Sequence, residues 1–155
     1  MSAVAWFIAS RHSPRRRSGI STRRFRSGPT PPRLISIRGL LYQPQNQHQL
    51  AIDDFTTAIG LTQNQAEPFV GRGLSYLAVG DLKAAASDFE AAVQIEPLNL
   101  KAWTSRGFAY ERLGDKERAA GSYARALNIN QSYEPARSGF TRVGGRYGET
   151  YQTFD

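Results

Sequence analysis

The chain of 155 residues contains no cysteine. This absence excludes a disulfide framework, a thiolate nucleophile and any cysteine-based metal site. Only two histidines are present, His12 and His48, and they are too far apart in sequence to form a metal-binding pair on one helix face. No apolar run approaches the ~20 residues that a transmembrane helix needs. The length suits one domain of ordinary size.

Basic charge is concentrated at one end of the chain. The formal net charge is +7, and residues 1–31 contain seven arginines and no acidic residue. Residues 32–155 hold the remaining 13 basic residues and all 13 acidic residues, so their net charge is zero. This part of the chain has no excess charge to attract phosphate backbones. Nucleic acid is therefore not expected as a partner of residues 32–155.

The composition of residues 1–31, rich in Arg, Ser, Pro and Gly, predicts a disordered basic tail. Three interpretations remain open: a mitochondrial-type transit peptide, a basic arm for nucleic acid or anionic membrane, and a non-native segment from a misplaced translation start. The third is favoured because the regular pattern of the body begins abruptly at residue 32. "MSAVAWFIAS" lacks the charge and length of a secretory signal. The compartment stays open, with the cytoplasm as default and the periplasm if the natural N-terminus is missing.

A repeat of 34 residues runs through the body of the chain in three blocks, 32–65, 66–99 and 100–133, without insertions. Glycine, tyrosine, alanine and an aromatic residue recur at fixed positions, and proline and tryptophan each mark one block. These positions are Gly39, Gly73 and Gly107; Tyr42, Tyr76 and Tyr110; Ala51, Ala85 and Ala119; Phe55, Phe89 and Tyr123; Pro97; and Trp103.

This pattern resembles the tetratricopeptide repeat, W-x2-L-G-x2-Y followed by A-x3-F and P. The first block is the weakest, because Ile35 replaces the aromatic residue and Pro44 enters late. The resemblance implies an all-α fold: a right-handed α-solenoid of three helix-turn-helix repeats. A capping helix is predicted over 134–143 and a flexible tail over 144–155. The "RG" and "AIDDF" segments are similar to those of bacterial members.

Glycine in the middle of the first helix of each block needs a reason, since it costs a helix ~1 kcal/mol relative to alanine. We expect the two helices of each block to cross closely there, with Ala51, Ala85 and Ala119 as the facing small residues. Gly80 and Gly114 are predicted C-terminal caps in left-handed conformation. Asp81 and Asp115, which follow them, are predicted N-caps.

An arginine precedes each of these glycines, where the family usually has leucine. A buried arginine requires a partner, and we predict the pairs Arg38–Asp54 and Arg72–Asp88. The third block has Ser122 at the matching position, so Arg106 is predicted to pair with Asp88 of the preceding repeat. The alternative is that these arginines extend to solvent.

No convergent set of titratable groups predicts a catalytic centre, so no enzyme, cofactor, metal or small-molecule substrate is expected. The resemblance implies a protein–protein interaction scaffold or adaptor that binds a peptide or helix of another protein in a concave groove. Packing between repeats is the alternative role for the same side chains. The predicted groove residues are Leu40, Val70, Leu74, Leu77, Thr104, Phe108, Glu111 and Arg112. The alternative function is nucleic-acid or anionic-membrane binding through the arginine-rich tail.

Chaperone-binding members of the family grip a C-terminal carboxylate with Lys and Asn residues on their first helices. Only one of the corresponding positions here has a suitable side chain, Lys101. The others are Ser36, Leu40, Gly71 and Ser105. A carboxylate clamp of this kind is therefore not expected.

Overall fold

The computed structural model of the chain describes residues 28–146. Contacts separate residues 1–30 from residues 31–155, and every described helix belongs to the second unit. The predicted basic tail, with its possible partners, and most of the predicted C-terminal tail lie outside the described residues. None of the helices described is long and apolar enough to cross a membrane.

Seven α-helices follow one another in residues 28–146, and this part of the chain contains no strand. They are α1 (Pro32–Tyr42), α2 (His48–Leu61), α3 (Ala66–Val79), α4 (Leu82–Ile95), α5 (Leu100–Leu113), α6 (Lys116–Ile129) and α7 (Glu134–Arg142). Each helix packs on the next, and α1, α3, α5 and α7 also contact one another in succession. The predicted all-α solenoid of three helix pairs and a capping helix is confirmed.

Caps define the turns of the second and third helix pairs as predicted. Gly80 and Gly114 end α3 and α5 with φ of +89° and +82°, which only glycine adopts without strain. Asp81 accepts a hydrogen bond from the backbone N–H of Ala84, and Asp115 accepts one from that of Arg118. Each carboxylate thus accepts a hydrogen bond from one of the N–H groups in the first turn of α4 or α6, which have no partner within the helix.

The first pair turns differently, because it has neither a Gly-Asp dipeptide nor a side-chain cap. A 3-10 segment, Gln43–Gln45, follows α1, and Asn46 takes the left-handed conformation with φ of +57°. Pro44 lies in this segment, where its missing N–H breaks no helical bond. The side-chain amide nitrogen of Gln43 also donates a hydrogen bond to the backbone carbonyl of Gly71, 2.7 Å away. This bond connects the turn to α3.

The repeated glycines of the first helices lie against aromatic rings of the second helices. A Cβ at Gly73 would lie 2.7 Å from the ring of Phe89, and one at Gly107 would lie 2.8 Å from the ring of Tyr123. The prediction that alanines are the facing residues is therefore wrong. Ala51, Ala85 and Ala119 are fully buried, but the flat rings one turn further along make the close contacts.

Two of these rings also touch the following repeat. The ring of Phe55 fills the space where Gly71 would carry a Cβ, and the ring of Tyr123 does the same at Gly139. One aromatic side chain thus lies between a glycine of its own repeat and a glycine of the next first helix. Such rings connect successive helix pairs into one core.

Two of the three predicted arginine pairs are confirmed as bidentate ion pairs. Arg38 donates to both carboxylate oxygens of Asp54 at 2.7 Å, and Arg72 donates to those of Asp88 at 2.8 and 2.7 Å. The pairing of Arg106 with Asp88 is wrong. Arg106 instead donates to Ser122 and pairs with Glu90, while both oxygens of Asp88 accept from Arg72.

Candidate functional site

The first helices of the last two repeats and the capping helix border a concave pocket of about 370 Å³. Most of its wall comes from α3, α5 and α7, with one aromatic edge from α6. It is lined by Leu74, Leu77, Thr104, Ser105, Phe108, Tyr123, Pro135, Ser138 and Arg142. An apolar hollow with a few polar groups at its edge is the usual character of a recognition site.

Four of the eight predicted groove residues line this pocket: Leu74 and Leu77 of α3, and Thr104 and Phe108 of α5. They meet because they lie at i and i+3 or i+4 on two neighbouring helices. Phe108 is the most exposed of them, at 39% of its full accessibility. The structure brings these four side chains together, and their part in binding a partner stays a prediction.

The other four predicted residues lie elsewhere. Val70 is buried in the core between the second and third repeats, which is the packing role that the sequence left as an alternative. Leu40 is half-buried on α1 and does not line the pocket. Glu111 and Arg112 follow Phe108 on α5 but are not part of the pocket wall.

Glu111 holds the capping helix against the third repeat. Its carboxylate accepts two hydrogen bonds from Arg142 of α7, at 2.8 and 3.1 Å, and one from the hydroxyl of Tyr123 at 2.7 Å. The Arg142 hydrogen bond holds the pKa of Glu111 below its ordinary value. Burial, followed by the bond to Glu111, raises the pKa of Tyr123. These three groups are therefore ionised, neutral and ionised at pH 7, and they fix one wall of the pocket.

Positive charge borders the apolar floor. The guanidinium of Arg112 lies 5.9 Å from the ring centre of Phe108, within range of a cation–π contact. Arg142 lines the pocket itself, with about half of its side chain exposed and its guanidinium held by Glu111. An apolar side chain flanked by acidic residues would match this arrangement.

The sequence reasoning missed the contribution of α7. Pro135, Ser138 and Arg142 line the pocket, although this helix was predicted only as a capping helix. The repeat register contains the missing signal. Residues 138 and 142 lie 34 positions after Thr104 and Phe108, so they occupy groove positions of an incomplete fourth repeat.

Two of the five positions of the family's carboxylate clamp are taken up by packing. Ser36 is buried and donates to the carbonyl of Pro32, and Gly71 lies under the ring of Phe55. Lys101 is exposed at the start of α5. Among residues 28–146 no group of three or more His, Cys, Asp or Glu side chains is placed to hold a metal ion.

Comparison with protein families gives a match to the tetratricopeptide repeat over residues 66–97 and 100–133. These are the second and third blocks, and the weaker first block is not matched. Curated proteins give no match to the sequence.

Solved structures of the same fold cover most of the described helices. The TPR domain of Arabidopsis OM64 is 25% identical, with a TM-score of 0.71 over 73% of this chain and 93% of that one. The first TPR of Spaghetti (RPAP3), bound to the HSP90 peptide SRMEEVD, is 23% identical, with a TM-score of 0.71 over 73% and 90%.

The second TPR domain of human RPAP3, in complex with the HSP70 peptide SGPTIEEVD, is 21% identical, with a TM-score of 0.69 over 74% of this chain and 99% of that one. The predicted bacterial type stays a prediction. The repeat register, the family match and the shared architecture agree that residues 66–97 and 100–133 are tetratricopeptide repeats.

Proposed function

We propose that the chain is a protein-interaction module that binds a peptide or helix of another protein without catalysing a reaction. The observation that carries this proposal is the concave apolar pocket between α3, α5 and α7. Support comes from the similar TPR domains whose structures contain bound peptides, those of RPAP3 with HSP90 and HSP70 segments.

The chemistry of the pocket restricts the segment that it binds. Leu74, Leu77 and Phe108 offer an apolar floor that fits one or two large aliphatic or aromatic side chains. Arg112 at the edge favours acidic residues beside that anchor. We therefore propose an internal segment with an apolar anchor and flanking Asp or Glu, held by its side chains rather than by its terminus.

The test is affinity capture from native lysate with the full chain as bait, in parallel with two single variants. Phe108→Glu places a carboxylate on the pocket floor. Val79→Glu makes the same kind of change at an exposed apolar residue at the end of α3, outside the pocket wall. Circular dichroism checks that all three baits are folded.

The proposal expects at least one protein that wild type and Val79→Glu retain equally and that Phe108→Glu loses by about tenfold, the effect of removing one anchor contact. Equal retention by all three baits would place the interaction on another surface.

A further inference from the structure

Helix α1 has a stripe of large, exposed apolar side chains along one side. Leu34, Ile37 and Leu41 are 54%, 42% and 59% exposed, and they lie at i, i+3 and i+7 of one helix. The other large exposed apolar residues of the described region lie on different helices or in a turn. They are Leu50, Leu61, Val79, Leu98, Phe108 and Leu113.

The same three register positions are small and mostly buried in the later repeats. The counterparts of Leu34 are Pro68, Ala102 and Ala136, and all three are buried. Those of Leu41 are Ser75 and Ala109, both fully buried, and Val143. In those repeats the second helix of the preceding repeat covers the first helix. Among the described residues no such helix precedes α1.

Ile37 shows that this face differs from its counterparts. Its equivalents are Gly71, Ser105 and Gly139, and both glycines lie in direct contact with an aromatic ring of the preceding repeat. The side chain of an isoleucine at this position would occupy the space that such a ring needs. The α1 stripe, defined as Leu34, Ile37 and Leu41, therefore does not fit the second helix of a preceding repeat in the packing used elsewhere in the chain.

We propose that the α1 stripe is the interface of a two-fold symmetric homodimer in which α1 packs antiparallel on α1 of a second copy. Among the described helices only α1 presents a bulky, unpartnered apolar stripe, so the surface that matches it best is itself. Ile37 is the middle residue of Pro32–Tyr42. A two-fold axis at Ile37 pairs Ile37 with Ile37 and Leu34 with Leu41 of the second copy.

The charges of α1 fit this antiparallel arrangement. Arg33 at the start of each helix comes to lie beside the carbonyl end of the other, where the helix dipole favours a cation. The two Arg33 residues are then roughly 12 Å apart along the axis, beyond about one Debye length at physiological salt. Arg38, the other cation of α1, is neutralised by Asp54.

The area of the stripe limits the strength of the dimer. A helix of 11 residues is about 16 Å long, so the face covers much less than the ~800 Å² per partner of a stable interface. The dimer is therefore reversible, with a dissociation constant in the micromolar range or weaker.

The first test is the oligomeric state of the full chain, measured by sedimentation velocity from about 5 to 500 µM, the range of weak interfaces. The expected result is a reversible monomer–dimer equilibrium. Ile37→Glu, which brings two carboxylates together at the axis, should raise the dissociation constant by about tenfold or more. Leu98→Glu, at an exposed apolar residue in the turn after α4, should leave it unchanged.

The second test uses the absence of cysteine from the chain. Ile37→Cys should form a disulfide-linked dimer under mild oxidation, because residues on the axis approach to within disulfide distance. Leu98→Cys at the same concentration should not. A chain that stays monomeric, or a dimer that Ile37→Glu leaves intact or Leu98→Glu weakens equally, overturns the proposal. A dimer without the Ile37→Cys cross-link overturns the two-fold arrangement.

Discussion

Single glycines decide how closely the helix pairs of this chain pack. Gly71 lies against the ring of Phe55, whereas Gly121, inside α6, has no heavy atom within 4 Å of the position that a Cβ would take. The same substitution should therefore have opposite effects at the two sites. At Gly71 the clash with the ring determines the sign of the change in stability. At Gly121 the lower backbone entropy of alanine in the unfolded chain determines it.

We expect Gly71→Ala to lower the free energy of unfolding by ~1–3 kcal/mol, because the added methyl group displaces a fully buried ring. Gly121→Ala should raise it by ~0.5–1 kcal/mol, the helix preference of alanine over glycine. Urea denaturation of both variants measures the two changes. Equal effects of either sign would mean that the ring of Phe55 does not need the space at Gly71.

The two confirmed ion pairs differ in how well water can replace the lost partner. The side chain of Arg38 is 60% exposed, but that of Arg72 is 18% exposed and lies between the rings of Phe69 and Tyr76. A guanidinium in contact with water can be solvated when its carboxylate is removed. A buried one is left with an unpaired charge.

Asp88→Asn should therefore destabilise the chain by ~2–3 kcal/mol, and Asp54→Asn by clearly less. Thermal unfolding of the two variants beside wild type ranks them. An equal loss in both would show that the exposure of the arginine does not control the strength of these pairs.

At the scale of elements, the capping helix depends on Glu111. Because Arg142 lowers the pKa of this carboxyl, the folded state favours its ionised form. The resulting stabilisation is complete above the ordinary pKa of 4.5 and is lost as the pH falls through the lowered value. Acid should therefore loosen α7 from α5 and α6.

Glu111→Gln should cost about 1 kcal/mol at pH 7 and nothing once the pH is below the lowered pKa. The difference in unfolding free energy between wild type and this variant, followed from pH 7 to about pH 2.5, checks the sign. A difference that stays constant over this range would show that the ion pair with Arg142 contributes nothing.

Most of the elements were predictable because the repeat fixes them three times over. The 34-residue register predicted the helix pairs, the caps of the second and third pairs and two arginine pairs, all from spacings within one block. Contacts between blocks were harder to predict. The roles of Gly71 and Gly139 and the partner of Arg106 depend on how adjacent repeats are placed, which no single repeat encodes.

The groove was predicted in part for the same reason. Leu74, Leu77, Thr104 and Phe108 follow from the register of α3 and α5. Val70 was wrongly assigned to the groove because one turn of α3 carries apolar residues that face the groove and others that face the core. Both kinds are aliphatic, so residue type does not distinguish them. The wall contributed by α7 was missed because no second helix follows it among the described residues, and the helix was assigned only as a cap.

For the whole molecule, the lack of suitable side chains at the clamp positions other than Lys101 predicts that a terminal carboxylate adds nothing to peptide binding. A fluorescent SRMEEVD peptide and its C-terminally amidated form should bind the full chain with equal affinity, because among the clamp positions only Lys101 suits a terminal carboxylate and one exposed ion pair contributes little. Fluorescence anisotropy measures this directly. Saturable binding that is lost when the carboxylate is amidated would contradict the prediction.

The claim that a partner segment binds in the pocket between α3, α5 and α7 is tested most directly by photo-cross-linking. A benzophenone amino acid replaces Phe108 in the full chain, or Leu98 as the control outside the pocket, and cross-linked peptides are identified by mass spectrometry. We predict that position 108 cross-links to one short segment of a partner, with an apolar residue and neighbouring acids, and that position 98 does not. A partner that co-purifies with the chain but cross-links equally from both positions, or from neither, would contradict the account.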